Sequence, residues 1–240
     1  MNTNPVPAES TTKTGAAKPC ACCGGLLRRR ECWVPTWRGW LLLLLLSVVL
    51  VLIVGPRTYG FLALHDPVPG GVLVVEGWAP DYAMRAAIVE MKRYSYRQVF
   101  VTGGPIERGS PLCEYKTAAE LGAVILVRMG LKTNEVVAVP SPLVVKDRTY
   151  TSALALKKWL KDRGIKETRV NVLSVGPHSR RSRLLFEKAL GDEYQVGVIA
   201  LESRDFDSAH WWKYSGSVRG VIDETIAYIY ARFLFYPAKE

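Results

Sequence analysis

Gly71-Val-Leu-Val-Val-Glu-Gly-Trp-Ala-Pro-Asp81 is the stretch whose reading decides the fold. Four consecutive aliphatic residues bounded by glycine predict a strand buried on both faces, as in a parallel sheet covered by helices. Asp81 stands where a helix cap is expected, and Met84, Ala87, Ile88 and Met91 follow at the spacing of one helix face. The alternation then repeats. Strands are expected at Gln98–Val101, Val136–Val139, Val170–Val175 and Gln195–Ala200. Helices are expected at Tyr115–Met129, across the stripe Ala153, Leu156, Trp159 and Leu160, at Ser179–Leu190, and from about Val218 to Phe235. Such alternation predicts an α/β three-layer sandwich around a mainly parallel sheet of about five strands.

Upstream of this domain the chain changes character. No charge occurs from Gly39 to Pro56, and eighteen residues at 1.5 Å each approach the ~30 Å hydrocarbon core of a bilayer. One transmembrane helix over residues 39–62 is therefore expected, extended through Tyr59 and Phe61 if Arg57 snorkels. Trp33, Trp37 and Trp40 on one side and Tyr59 and Phe61 on the other serve as interfacial belts. The net charge of +10 divides into +4 for residues 1–38 and +6 for the rest. Arg28, Arg29, Arg30 and Arg38 precede the apolar run and Arg57 alone follows it closely, so the N-terminus is expected in the cytoplasm and the C-terminal domain outside. Residues 1–38 are then expected to be a disordered basic tail and 63–240 an extracytoplasmic domain. Splitting the basic excess across a membrane argues against nucleic-acid binding. Cys20, Cys22, Cys23 and Cys32 cluster in the tail without the paired spacing of a zinc site, and only Cys113 belongs to the domain. No metal motif is present.

Ligands of open parallel sheets bind beyond the carboxyl ends of the strands. Those positions here are Glu76-Gly77-Trp78, Thr102-Gly103-Gly104, Ser141 with Asp147-Arg148-Thr149, and Gly176-Pro177-His178. His178-Ser179-Arg180-Arg181 opens a helix whose N-terminal dipole should repel arginines, and a bound anion would reverse that sign. His178 and Arg181 share a helical face, so both are candidate catalytic or anion-binding groups together with Glu76. Gly77, Thr102, Gly103, Gly104, Glu114, Thr149 and Ser179 are candidate ligand contacts. Glu224, in an apolar helix beside Ile222 and Ile226, is expected to be paired with an arginine.

The order of Thr102-Gly103-Gly104, Glu114, Thr149-Tyr150, His178 with Arg181, and Glu224, behind a membrane anchor, resembles the SanA/ElyC/YdcF family of bacterial envelope proteins. The likeness covers about residues 70–235. It departs from the family where Val75-Glu76-Gly77-Trp78 replaces a glycine-rich turn, and where Arg148-Thr149-Tyr150-Thr151-Ser152-Ala153 lacks the family's acid and amide. The resemblance implies a Rossmann-like fold, a place in a bacterial inner (cytoplasmic) membrane, and a role in peptidoglycan assembly, envelope integrity or handling of a polyprenyl-phosphate carrier. On that reading the protein is an envelope biogenesis factor binding or processing a phosphorylated cell-wall intermediate. The alternatives are a nucleotide or S-adenosylmethionine binding module, with Glu76 on the ribose, and a non-catalytic scaffold presenting Trp211, Trp212 and Tyr214.

Overall fold

A computed structural model describes residues 21–22, 27–29, 33–94, 96–107 and 109–237. Within the segment expected to be disordered, β1 (Ala21–Cys22), β2 (Leu27–Arg29) and β3 (Trp33–Pro35) pair antiparallel in chain order. Gly24-Gly25, between the first two in the sequence, is a hairpin signal that the compositional reading passed over. Residues 1–20 and three of the four clustered cysteines, Cys20, Cys23 and Cys32, lie outside the described residues.

Helix α1 (Trp37–Leu62) is 26 residues long, with a mean hydropathy of 2.6 over its most apolar window, and is long and apolar enough to cross a membrane. Its last turns behave differently from the rest. Tyr59 and Leu62 are buried in a cluster with Trp211 and Val221, and Tyr59 meets Phe206 edge-on at 5.8 Å. Tyr59 is therefore packed in protein and does not serve as the interfacial residue expected of it. The chain divides into two compact units at Ile53/Val54, so packing carries the globular unit back from residue 63 to Val54.

Both side-chain rows of the central strands are apolar, which is why the aliphatic run at 72–75 reads without alternation. The sheet consists of β4 (Val72–Glu76), β5 (Val99–Gly103), β6 (Val136–Pro140), β7 (Arg169–Val175) and β8 (Gln195–Leu201), all parallel, in the order β6-β5-β4-β7-β8. Leu73, Val75, Val99, Val101 and Leu173 face α2 (Asp81–Arg93) and α3 (Ala118–Arg128). Val74, Phe100, Val170 and Val172 face α4 (Arg148–Asp162) and α5 (Ser179–Leu190). Helix α6 (Ser215–Phe233) follows the sheet. The α/β sandwich expected from the alternation is thus present.

Three local expectations are corrected. Asp81 is the first residue of α2 rather than its cap, which is Pro80; its carboxylate sits in the first turn, where the helix dipole favours it. Helix α3 begins at Ala118, not Tyr115, because Thr117 and Glu120 close a capping box: Glu120 N–H donates to Thr117 Oγ1 at 3.2 Å, and Thr117 N–H to Glu120 Oε2 at 3.0 Å. Helix α6 starts three residues earlier than expected and ends two earlier.

Candidate functional site

The chain builds β4, β5 and β6 in one direction across the sheet, then returns to add β7 and β8 on the far side of β4. The strand order reverses between β4 and β7, and a crevice opens at the carboxyl ends of strands at such a switch point. Glu76 ends β4 on one side of it, and His178 closes the turn after β7 on the other. Two glycines permit this geometry. Gly176 has φ +51°, a conformation side chains resist. A Cβ on Gly77 would lie 2.3 Å from the carbonyl oxygen of Ala118, so only glycine lets β4 turn this close to the start of α3.

Four ionisable side chains meet in the crevice. His178 Nδ1 lies 2.9 Å from Glu224 Oε1 and its Nε2 lies 3.3 Å from Glu76 Oε1. Arg181 donates from Nε to Glu224 Oε2 at 2.8 Å and from Nη2 to Oε1 at 2.9 Å, a two-pronged grip on one carboxylate. Glu76 is almost wholly buried and also accepts from Ser174 Oγ at 2.9 Å and Ser182 Oγ at 3.2 Å. Trp78 stands edge-on to the imidazole, with ring centroids 4.9 Å apart.

Arg181 Nη2 also lies 2.9 Å from His178 Nδ1, and one Nδ1 cannot both donate to Glu224 and accept from Arg181. Charge decides between the two. With an imidazolium, two cations face two carboxylates and the buried quartet is neutral; a neutral ring would strand one uncompensated negative charge. Burial alone would favour the uncharged ring, but the carboxylates of Glu76 and Glu224 outweigh it and raise the His178 pKa to about 9. Burial likewise opposes ionisation of Glu224, yet Arg181 and His178 hold its pKa down to about 2. The Glu76 carboxyl is also held below its ordinary value despite burial, chiefly by His178. At neutral pH, His178 is consequently a proton donor and not a base.

This arrangement resolves the basic helix N-terminus in an unexpected way. The anions that offset it are the protein's own. Arg181 is taken by Glu224, as expected of that acid. Arg183 pairs with Asp66 at 2.5 Å and Glu187 at 2.8 Å. Arg180 donates to the Phe61 carbonyl at the end of α1 and stacks over its ring. The local dipole conflict therefore requires no external anion.

A cavity of about 630 Å³ adjoins the quartet, lined by Glu76, Trp78, His178, Arg181 and Glu224 and by the loops after β5 and β6. Of the expected ligand contacts, Thr102, Gly103, Gly104 and Thr149 line it. Thr102 Oγ1 is buried without a hydrogen-bond partner among the described residues. Gly77, Ser179 and Glu114 do not line it. Gly77 is spent on packing. Ser179 is fully buried and donates to the Gly176 carbonyl at 2.7 Å, and Glu114 is exposed before α3. Glu76 does line the cavity, but its oxygens already serve three side chains, which leaves the ribose role without support.

Ser141, Asp147 and Arg148, placed at the strand ends by the sequence but not among the candidate contacts, complete the wall together with Ser152 and Lys146, which were not foreseen. Ser141 and Ser152 face each other at 3.1 Å between their hydroxyl oxygens. Lys146 is exposed at the rim with no partner among the described residues, and Arg148 pairs with Glu107 at 3.0 Å where both are exposed. Asp147, one of the carboxylates at the strand ends, adopts a left-handed conformation at φ 58°. Their only sequence signal was position after a strand. Among the described residues no His, Cys, Asp and Glu side chains are grouped as a metal ion would require, and both ring nitrogens of His178 are occupied. Comparison with protein-family models, with curated proteins and with solved structures finds no match to this chain.

Proposed function

We propose that this chain is a membrane-anchored envelope factor whose switch-point cavity takes a phosphorylated cell-wall intermediate, polyprenyl-linked carriers included. The observation that carries the reading is a buried, unpartnered Thr102 hydroxyl and two exposed rim cations around one cavity: Lys146, without a partner among the described residues, and Arg148, whose pair with Glu107 is solvent-exposed and so weakly held. Hydroxyl and ammonium donors converging on a pocket suit phosphate oxygens. Arg181 and His178 act here as a neutral wall that fixes the pocket, because their charges are already spent on Glu224 and Glu76. The resemblance to the SanA/ElyC/YdcF family supports the envelope assignment. The arginine bias before α1 supports an inner-membrane protein with its N-terminus inside and this domain outside.

Binding by the full chain in detergent decides the matter. A short-chain polyprenyl phosphate should bind saturably and the corresponding alcohol at least about tenfold more weakly, a difference of ~1.4 kcal/mol. The double variant Lys146→Ala, Arg148→Ala should lose a similar factor. Equal affinity for phosphate and alcohol would remove the phosphate from the proposal. A nucleotide or S-adenosylmethionine is the second reading, favoured by the half-exposed Trp78 ring at the crevice on which a base would stack. Tighter binding of either, lost in Trp78→Ala, would replace the first.

A further inference from the structure

Helix α6 is apolar on two opposite sides. Ser217, Val221 and Ala231 are buried against the domain, with Glu224 directed into the crevice from the same side. Opposite them, Ile222, Ile226, Ile229 and Phe233 recur at intervals of four, three and four residues and are 50%, 63%, 48% and 61% exposed. A helix with apolar residues all round is expected to be covered all round. Just before it, Trp212 and Tyr214 are exposed at 43% and 44%. Lys213, Arg219 and Arg232 flank this surface, against one exposed acid of the helix, Asp223, among the described residues.

We propose that this face lies on the surface of the lipid bilayer, with the Ile and Phe side chains in the acyl boundary and the cations among anionic headgroups. The inference rests on reading α1 as a membrane anchor. Three observations favour a bilayer over a protein partner. The segment before α6 and α6 itself pack on the last turn of α1: Trp211 and Val221 join Tyr59 and Leu62 in one cluster, and Tyr228 meets Phe61 edge-on at 5.7 Å. That turn follows directly on the charge-free stretch that ends at Pro56. Exposed Trp and Tyr beside an apolar stripe with basic flanks is the composition of an interfacial helix. Finally, four half-exposed side chains a side bury only a few hundred Å² between two copies, well short of the ~1,200–2,000 Å² of a stable interface.

The test is depth-resolved quenching of the full chain in liposomes of equimolar phosphatidylethanolamine and phosphatidylglycerol. Cys20, Cys22, Cys23, Cys32 and Cys113 are replaced by Ser, and one cysteine at a time is introduced as Ile226→Cys, Ile229→Cys, Leu50→Cys or Val89→Cys and labelled with an environment-sensitive fluorophore. Val89, 61% exposed on α2, is the aqueous control. Labels at 226 and 229 should be quenched about twofold or more above the Val89 control by lipids carrying a shallow nitroxide, and the label at 50 most strongly by a deep one. If 226 and 229 match the control while 50 is quenched, the surface proposal falls and the anchor stands. If 50 also matches the control, the anchor reading falls and takes the proposal with it. Labels at 226 and 229 shielded from aqueous quencher only at high protein density, and untouched by lipid nitroxides, would assign the face to a second copy and overturn the bilayer. Thermal melting of each labelled chain within a few degrees of the parent ensures that the comparison is made between folded proteins.

Discussion

Substituting Glu76→Gln removes one of the two charges that hold the His178 proton while keeping the shape of the buried side chain. A pKa of about 9 in the folded chain, against 6.5 for an unperturbed histidine, is worth about 3 kcal/mol of folding stability at 1.36 kcal/mol per pH unit. His178 is 12% exposed, so water screens little of this. The sign follows from the direction of the shift. A proton bound more tightly by the folded chain stabilises it fully below pH 6.5, and the gain disappears as pH rises through about 9. Glu76→Gln should therefore cost about 2–3 kcal/mol at pH 7, with the gap to the parent protein closing towards pH 10. It should also return the His178 midpoint towards 6.5. The readouts are urea unfolding at several pH values and an NMR titration of the imidazole ring. Only three histidines are present, so His178→Asn assigns the signal. A parent midpoint near 6.5, or the same midpoint in Glu76→Gln, would refute the neutral quartet.

Further outcomes follow from the packing. Gly77→Ala sets a Cβ against a backbone oxygen 2.3 Å away and should destabilise by about 3 kcal/mol in denaturant melts. Glu120→Ala opens the capping box of α3 and should cost about 1 kcal/mol, whereas Glu114→Ala should change the same melt by less than ~0.5 kcal/mol. At Asp147, with φ 58°, Asp147→Val should lose about 1–2 kcal/mol while Asp147→Gly loses none, a contrast that thermal unfolding resolves.

What was legible and what was not divides along sequence separation. The strands could be read because burial on both sheet faces leaves runs such as Val72–Val75 uninterrupted, and the helices because Met84, Ala87 and Met91 repeat with the helix. The crevice could be placed too, since it lies at strand ends whatever the side chains are. Which charge meets which could not be read. Glu224 lies 46 residues from His178 and Glu76 lies 102 away, and no periodicity reports a pairing over that distance. The arginines of α5 looked like an unmet demand for an anion because Asp66, Glu76 and Glu224 become their neighbours only after folding. Ser174 and Ser182 went unnoticed for other reasons: Ser174 passes as filler inside an apolar strand, and Ser182 stands between Arg181 and Arg183, where it reads as surface. Asn171 was missed likewise. It is fully buried in β7, and its amide serves Val68, Gly70 and the Tyr96 hydroxyl, joining the entry of the sheet to its centre.

The burial of Tyr59 and Leu62 bears on how a water-soluble piece of this protein should be cut. Trimming at Ala63, where the helix ends, would strip two core side chains, lay Trp211 and Val221 open to solvent and deprive Arg180 of the carbonyl it holds, one residue from the arginine that grips Glu224. Starting at Val54 retains all of these at the expense of two extra helical turns. By the same linkage, a pull on α1 would reach the crevice through α5, because Arg180 on the Phe61 carbonyl and Arg181 on Glu224 are consecutive residues.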